Sequence, residues 1–259
     1  ELTFGADELI YEPFDWRDPF VFYNEEEECF DMLLAARLQG ASEKNGGCVG
    51  LCRSYDLIHW KAMQPFYNPQ SYMTHECPDL FKMGDKWYLI YSTFSEKFVT
   101  HYRMADKISG PWTAPIEDTF DARAFYAAKT AQAKDVRMAF AWVPTERGDS
   151  DFGQYEWGGN LIAHEIKQDK DGKLKVKPSN GLINIFEKEI TANNIEDVEI
   201  KNNEGEKVYV IEGMKETCLI EATIEFYEGS RAFGIGLRQD KDFANGYYLR
   251  FEPFYNRIV

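Results

Sequence analysis

The sequence is poor in cysteine and histidine and has no long apolar run. Its 259 residues include five cysteines and four histidines. The cysteines are odd in number and irregularly spaced, which argues against a disulfide framework and favours a reducing compartment. No run of about eighteen apolar residues occurs, and no basic segment followed by an apolar one opens the chain. We therefore expect no membrane helix. The chain does not start with methionine, so we expect its true N-terminus to be missing, and the free cysteines favour a cytoplasmic protein over a secreted one.

Positive charge is also scarce. Lysine and arginine total 29 against 44 aspartates and glutamates, which gives a formal net charge of -15 at pH 7. A field of this sign repels polyanions, so nucleic acid and anionic membrane surfaces are not expected as partners. Neutral substrates remain open.

Aromatic residues and strand patterns are abundant, whereas helical patterns are not. Aromatic residues make up 15% of the chain and hydrophobic residues 44%, which is enough apolar surface for a folded protein. From about residue 20 to residue 177, short alternating segments are joined by turn-forming residues, and no long segment has a 3.6-residue apolar period. An all-β fold is predicted.

The predicted hairpins recur along the chain. A similar unit starts near Arg17, Glu76, Phe125 and Gly158, at a spacing of roughly 35 to 60 residues that is typical of propeller blades. Such sheets stack on their neighbours because one sheet cannot bury both of its faces alone. Only about four units fit. Closure by four blades is one alternative, but a missing first blade explains the abrupt start of the chain better. We therefore expect a five-bladed β-propeller whose first blade is largely missing from this chain.

The composition of the sequence changes after about residue 186. The polar and acidic stretch EKEITANNIEDVEIKNNEGEK is typical of a linker or a domain edge. Beyond it, VYVIEG, CLIEATIEFYE, AFGIGLRQ and GYYLRFEP alternate with glycine-bearing turns, as in a β-sandwich. We expect a partial propeller domain over residues 1–188 and the start of a C-terminal β-sandwich over residues 189–259.

The segment WRDPF carries the first candidate for chemistry. Asp18 precedes a proline, whose ring favours an extended conformation for Asp18. Strict alternation then directs Arg17 to the opposite side of the strand, unless a bulge brings both side chains inward. The segment is either a turn at the start of a strand or a carboxylate that faces a central funnel beside a guanidinium group. In the second case Asp18 accepts hydrogen bonds from sugar hydroxyls.

The segment HECPDLF opens the next unit and places Glu76 in the same structural position as Asp18. The apolar residues Leu80 and Phe81 follow, which predicts a partly dehydrated carboxyl group that can keep a proton for a leaving group. The alternative is a solvated glutamate in a loop. His75 has no serine or cysteine nucleophile in a suitable context, so we interpret it as a hydrogen-bonding neighbour.

Two further segments contain candidates for sugar binding. Tyr126 and Trp157 are candidates for stacking on a sugar ring, and Asp121 for binding a hydroxyl, with ordinary core packing as the alternative. Cys48 and Cys52 suggest zinc, but no second pair stands at ligand spacing, and alternation in a strand explains them equally well. We expect no metal and no cofactor.

As a set, these segments resemble glycoside hydrolase family 32, the β-fructosidases that include invertases, levanases and inulinases. WRDPF resembles the family's Arg-Asp-Pro motif and HECPDLF its Glu-Cys motif. FDARAFYAAKT resembles its Asp and Phe-Tyr-Ala segment, and GGNLIAHEI with DGKLKVKP resembles its last-blade hairpin. The terminal stretch from FGIGLRQ onwards resembles the start of the family's C-terminal β-sandwich.

The resemblance implies retaining hydrolysis of β-fructosides such as sucrose, inulin or levan. Glu76 would be the general acid/base, Asp18 the transition-state stabiliser, and Arg17 a ligand for fructosyl hydroxyls. The family's nucleophile, an aspartate in an Asn-Asp-Pro-type motif, has no match upstream of Arg17. We assign it to no residue present and expect the isolated chain to hydrolyse little.

Two alternatives remain open. AHEI stands where a Pro-Arg-Glu-Leu type segment is common in the family, so the substrate preference is undecided. The related family 43, which inverts and acts on arabinosides and xylosides, has a similar propeller. A non-catalytic carbohydrate-binding propeller would use the same aromatic and acidic residues.

Overall fold

The chain forms two compact units, residues 1–179 and residues 180–259. The computed structural model describes residues 2–3, 10–95, 97–121, 124–148, 153–186, 208–211, 214–215, 217–240, 242 and 244–259. The expected domain boundary between residues 188 and 189 lies outside the described residues. Each unit is therefore considered by itself.

The first unit contains three sheets. Sheet 1 has the strand order β1-β5-β4-β3-β2, in which β1 pairs with β5 in parallel and the other pairs are antiparallel. Its strands are β1 (Leu2–Thr3), β2 (Arg17–Asn24), β3 (Cys29–Arg37), β4 (Gly47–Ser54) and β5 (Trp60–Ala62). Sheet 2 is formed by β6 (Glu76–Met83), β7 (Lys86–Thr93) and β8 (Val99–Ala105).

Sheet 3 corrects the expected number of units. It consists of β9 (Tyr126–Ala133), β10 (Val136–Glu146), β11 (Tyr155–Gln168) and β12 (Leu174–Pro178). Gly158, where a fourth unit was expected to start, lies inside β11. The ladder between β10 and β11 continues past this point, from Arg137 opposite Ile166 to Pro144 opposite Gly159. The hairpin of β11 and β12 is therefore the outer half of sheet 3.

The predicted hairpins form with the predicted turns. In the acidic turn after β2, the side-chain Oδ1 of Asn24 accepts hydrogen bonds from the backbone N–H groups of Glu26 and Glu27. The turn between β6 and β7 contains Gly84 at φ 59°, and the turn between β11 and β12 contains Gly172 at φ 83°. Both angles lie in the left-handed region, which glycine adopts without the steric cost of a Cβ.

Sheet 2 packs between the other two sheets. Consecutive residues of β7 face opposite ways because side chains alternate along a strand. Leu89 packs with Leu33 and Val49 of sheet 1, whereas Ile90 packs with Ile166 of sheet 3. Both faces of sheet 2 are therefore core, and one edge strand of each sheet, β2, β6 or β9, lies beside the edge strand of the next sheet.

The described residues of the second unit include a short helix and a sheet. The helix is α1 (Asn180–Ile183), and the sheet is formed by β13 (Phe233–Leu237), β14 (Tyr247–Glu252) and β15 (Arg257–Ile258), with a 3-10 helix at Pro253–Tyr255. The strands predicted in AFGIGLRQ and GYYLRFEP are confirmed. Those predicted in VYVIEG and CLIEATIEFYE do not form within the described residues. The β-sandwich and the closure of five blades remain predictions.

Within the part of the chain that the structure describes, no helix has the length and apolar character needed to cross a membrane.

Candidate active site

The edge strands β2, β6 and β9 begin with the same irregularity. Near the start of each, the strand contains one residue more than its partner, which is a β-bulge. In each case the second residue of the strand has a left-handed backbone. These residues are Asp18 in β2, Cys77 in β6 and Ala127 in β9, with φ 58°, 50° and 55°.

The bulges bring the first residues of these strands together. Arg17 donates a hydrogen bond of 2.7 Å from Nη2 to Oε1 of Glu76. The hydroxyl of Tyr126 donates to the other carboxylate oxygen, Oε2. Glu76 is only 8% exposed, so the solvated-loop alternative is wrong. Of the two geometries considered for WRDPF, the structure has the bulge, which keeps Arg17 and Asp18 on the same side.

Asp18 is fixed by the neighbouring strand. Its Oδ2 accepts a hydrogen bond of 3.0 Å from the backbone N–H of Cys77, and Nε of Arg17 lies 3.9 Å from the same oxygen. Asp15, which sequence reasoning did not select, accepts from Nη1 of Arg17 at 2.5 Å. Burial lowers the pKa of Arg17, but Glu76, Asp15 and Asp18 outweigh it and raise this pKa overall. Three carboxylates therefore surround one permanently charged guanidinium.

The half-buried Lys129 contacts the backbone next to this arrangement. Lys129 donates from Nζ to the carbonyl of Pro78 at 2.6 Å and lies 5.1 Å from the centre of the Phe20 ring. Burial lowers the pKa of Lys129, although the charge of Asp79 opposes this shift. The carbonyl acceptor, the aromatic ring and the nearby carboxylate offset the cost of burying the charge of Lys129. The carbonyl it binds lies two residues after Glu76.

Tyr126 does not present the open ring face that was expected for stacking on a sugar. The residue is 1% exposed, and the ring of Phe98 lies parallel to it, with the ring centres 4.1 Å apart and the planes at 1°. Burial, and then the hydrogen bond to Glu76, raise the pKa of Tyr126, so its hydroxyl stays protonated. The structure therefore makes Tyr126 a partner of Glu76.

Trp157 is the exposed member of an aromatic cluster beside this pair. It is 71% exposed, and its ring centre lies 5.5 Å from that of Tyr126 and 5.2 Å from that of Trp142. Trp157 thus remains a candidate for stacking on a sugar. Sequence reasoning missed Trp142, which lies in β10, and Phe98, which lies in the loop before β8, because no local motif marks either residue.

Asp121 and His75 lie in different surroundings. Asp121 places Oδ2 2.8 Å from Nε2 of His164. His75 is fully buried, and neither of its ring nitrogens has a hydrogen-bond partner among the described residues. The hydrogen-bonding role expected for His75 is therefore wrong. Its ring packs instead against Tyr91, with the ring centres 4.6 Å apart.

Cys48 and Cys52 lie in the interior of β4. Both are buried, and burial raises the pKa of each thiol to about 12. Alternation in a strand thus accounts for both residues. Within the described ranges, no group of three or more histidine, cysteine, aspartate or glutamate side chains is arranged to hold a metal ion.

This chain matches a known protein family and is similar to solved structures. The model of the glycosyl hydrolases family 32 N-terminal domain matches residues 8–178, which is more than half of the chain. Fructan 1-exohydrolase IIa from Cichorium intybus is similar with a TM-score of 0.53 and 18% identity, over 71% of this chain and 39% of its own. Inulosucrase from Halalkalicoccus jeotgali bound to kestose is similar with a TM-score of 0.50 and 16% identity, over 66% of this chain and 51% of its own.

This chain spans about half or less of the length of these two structures. The similarity to them concerns the fold, whereas the family match covers the three sheets apart from β1, together with the residues gathered around Glu76. The chain belongs to glycosyl hydrolase family 32.

Proposed function

We propose that the protein carrying this chain hydrolyses β-fructosides with retention of configuration, and that Glu76 is its general acid/base. The observation that carries this proposal is the position of the Glu76 carboxylate, buried and held on one oxygen by Arg17 and on the other by Tyr126. A general acid/base must keep its carboxyl group oriented towards the glycosidic oxygen through two proton transfers. Two donors on two strands provide that orientation.

The pair of Tyr126 and Glu76 suits both proton transfers. A phenol hydroxyl can donate to a carboxylate or accept from a carboxylic acid. In the first step Glu76 gives its proton to the departing oxygen, and in the second it takes a proton from water. Tyr126 can hold the same carboxyl group in either state. We assign the nucleophilic attack on the anomeric carbon to no residue of this chain.

Asp18 and Arg17 take the roles of charge stabiliser and hydroxyl ligand. The backbone N–H of Cys77 holds the Asp18 carboxylate in one orientation, where it offsets positive charge as the oxocarbenium-like state develops. Arg17 contacts Asp15, Asp18 and Glu76 together. Its guanidinium therefore holds these three side chains next to one another, and it is proposed to donate hydrogen bonds to sugar hydroxyls.

The proposed substrate class is a neutral fructoside. The family match and the net charge of -15 support it, since a chain of this charge disfavours anionic ligands. Trp157 is proposed to stack on the sugar and Asp121 to bind a hydroxyl. We also propose a reducing compartment, which is supported by the five cysteines all being free thiols.

The test is steady-state hydrolysis of sucrose, inulin and levan by the protein that carries this chain, with the configuration of the first product followed by NMR. Retention at the anomeric carbon is expected. Inversion would point instead to a family 43-like mechanism, and sugar binding without product would point to a carbohydrate-binding propeller. Either result would contradict the proposal.

A further inference from the structure

We propose that Phe98 is a positioning residue, which sets the orientation of Tyr126 and thereby the hydrogen bond from Tyr126 to Glu76. The inference rests on the proposed function of Glu76. Phe98 ends the loop that joins β7 to β8 in sheet 2, whereas Tyr126 begins β9 in sheet 3. The contact between their rings therefore crosses from one sheet to the next.

The geometry of this contact restricts the tyrosine ring. The two rings are parallel within 1°, and their centres are 4.1 Å apart, which leaves no room for the tyrosine ring to tilt towards Phe98. Trp142 and Trp157 approach Tyr126 edge-on, at 5.4 and 5.5 Å and both at 66°. Tyr126 is thus held by one ring face and two ring edges.

Hydrogen bonds hold the backbone of Phe98 and of the residue before it. Its carbonyl accepts a hydrogen bond of 2.6 Å from the backbone N–H of Ala124, two residues before Tyr126. The carbonyl of the preceding Lys97 accepts a hydrogen bond of 3.1 Å from Oγ1 of Thr93. These hydrogen bonds join Phe98 to the segment that precedes β9 and hold the residue before it.

This arrangement has a chemical consequence. A hydrogen bond weakens steeply as its donor leaves the favoured direction, and the phenol hydroxyl can reach Oε2 of Glu76 only through the orientation of its ring. Loss of the flat ring at position 98 releases this orientation while the Tyr126 hydroxyl is still present. Phe98 therefore acts through Tyr126, without any role in proton transfer of its own.

The first test is a double-mutant cycle in the protein that carries this chain. Phe98→Met, which keeps apolar volume but removes the flat ring, should lower kcat for a β-fructoside about tenfold. In the Tyr126→Phe background the same substitution should lower kcat less than about twofold, because residues that act through one another are not additive. Additive losses in the two backgrounds would overturn the proposal.

The second test needs no turnover. Glutamate is labelled with 13C at the side-chain carboxyl carbon, and the Glu76 signal is assigned by its loss in Glu76→Gln. Tyr126→Phe, Phe98→Met and Phe98→Leu should displace this signal in the same direction, whereas Phe98→Tyr, which keeps the ring, should leave it in place. Phe81→Met, a matched loss of a buried ring in the core of sheets 2 and 3, should also leave it in place.

The two tests separate the two proposals. A signal that follows Phe98 in a protein that cleaves no β-fructoside would refute the proposed function and support the positioning role. A signal displaced by Tyr126→Phe but by neither Phe98→Met nor Phe98→Leu would refute the positioning role and leave the proposed function standing. Two substitutions at position 98 keep the test valid if one of them unfolds the protein.

Discussion

At the scale of single residues, Glu76 combines burial with two donors of different kind. One donor is the charged guanidinium of Arg17 and the other is the neutral hydroxyl of Tyr126. Hydrogen bonds to charged groups contribute roughly 1.5 to 3 kcal/mol each, and the lower end applies to Arg17, whose side chain is one-third exposed. This is enough to fix one rotamer of a carboxylate that would otherwise pay the cost of burial.

His75, next to Glu76 in sequence, makes the stability of the protein depend on pH. Burial, then the charges of Arg103 and His101, lower the pKa of His75 to about 3 from its ordinary value of 6.5. The unfolded chain therefore binds a proton below pH 6.5 that the folded chain binds only near pH 3. The stability contributed by neutral His75 is fully present above pH 6.5 and is lost as the pH falls towards 3.

We predict that the free energy of unfolding falls by about 2 kcal/mol between pH 6 and pH 4 because of this residue. Urea unfolding of wild-type protein and of His75→Leu at the two pH values measures it, since the variant should lose this part of the dependence. His59→Gln is the control, because His59 is exposed. An equal fall in wild-type protein and His75→Leu would refute this account.

At the scale of elements, the bulges at the starts of β2, β6 and β9 bring the residues of the candidate active site together. A residue with left-handed backbone costs roughly 1 to 2 kcal/mol when it is not glycine, and Asp18, Cys77 and Ala127 all adopt it. The three bulges turn the first residues of β2, β6 and β9 towards one point. Strain at these positions is thus coupled to the arrangement of the candidate catalytic groups.

Ala127→Gly should raise the free energy of unfolding by up to about 1 kcal/mol, because glycine adopts the left-handed backbone without steric cost. Chemical denaturation with a common slope measures the difference. Ala128→Gly is the matched control. Ala128 is fully buried and absent from the positive-φ residues, so this substitution should lower stability. Destabilisation of equal size by both would show that the bulge stores no strain.

The sequence permits the prediction of these elements only in part. Arg17, Asp18 and Glu76 are predictable because they lie in the contiguous motifs WRDPF and HECPDLF. In each motif a proline stands two residues after the first residue of the strand. Ala127 has no such mark, so the third bulge could not be foreseen. The sequence around Gly158 predicts the start of a unit, but glycine also occurs inside long strands. The hydrogen-bonded ladder between β10 and β11 shows that Gly158 lies inside a strand.

At the scale of the whole first unit, stability comes from sheet 2 packing between its neighbours. Leu89 and Ile90 are both fully buried, but they belong to different core clusters on opposite faces of the sheet. The aromatic richness of the sequence predicted such a core, but not which rings serve the core and which the site. Tyr88 and Tyr126 are both buried, but the hydroxyl of Tyr88 donates to the carbonyl of Gly172 and that of Tyr126 to Glu76.

We predict that Leu89→Ala and Ile90→Ala each lower the free energy of unfolding by about 2 to 5 kcal/mol. The double variant should lose the sum of the two values, because the side chains share no partners although they are adjacent in sequence. Urea unfolding of the single and double variants gives the three values. A double loss far from the sum would indicate that sheets 1 and 3 do not pack on separate faces of sheet 2.

The central claim is that Glu76 gives a proton to the glycosidic oxygen and then takes a proton from the attacking water. The most direct measurement is kcat of wild-type protein and of Glu76→Gln, in the protein that carries this chain, on a fructoside with a poor leaving group. The exposed Glu25→Gln variant serves as control. We expect Glu76→Gln to lose at least about a hundredfold in kcat and Glu25→Gln to lose nothing. Unchanged turnover in Glu76→Gln would contradict the account.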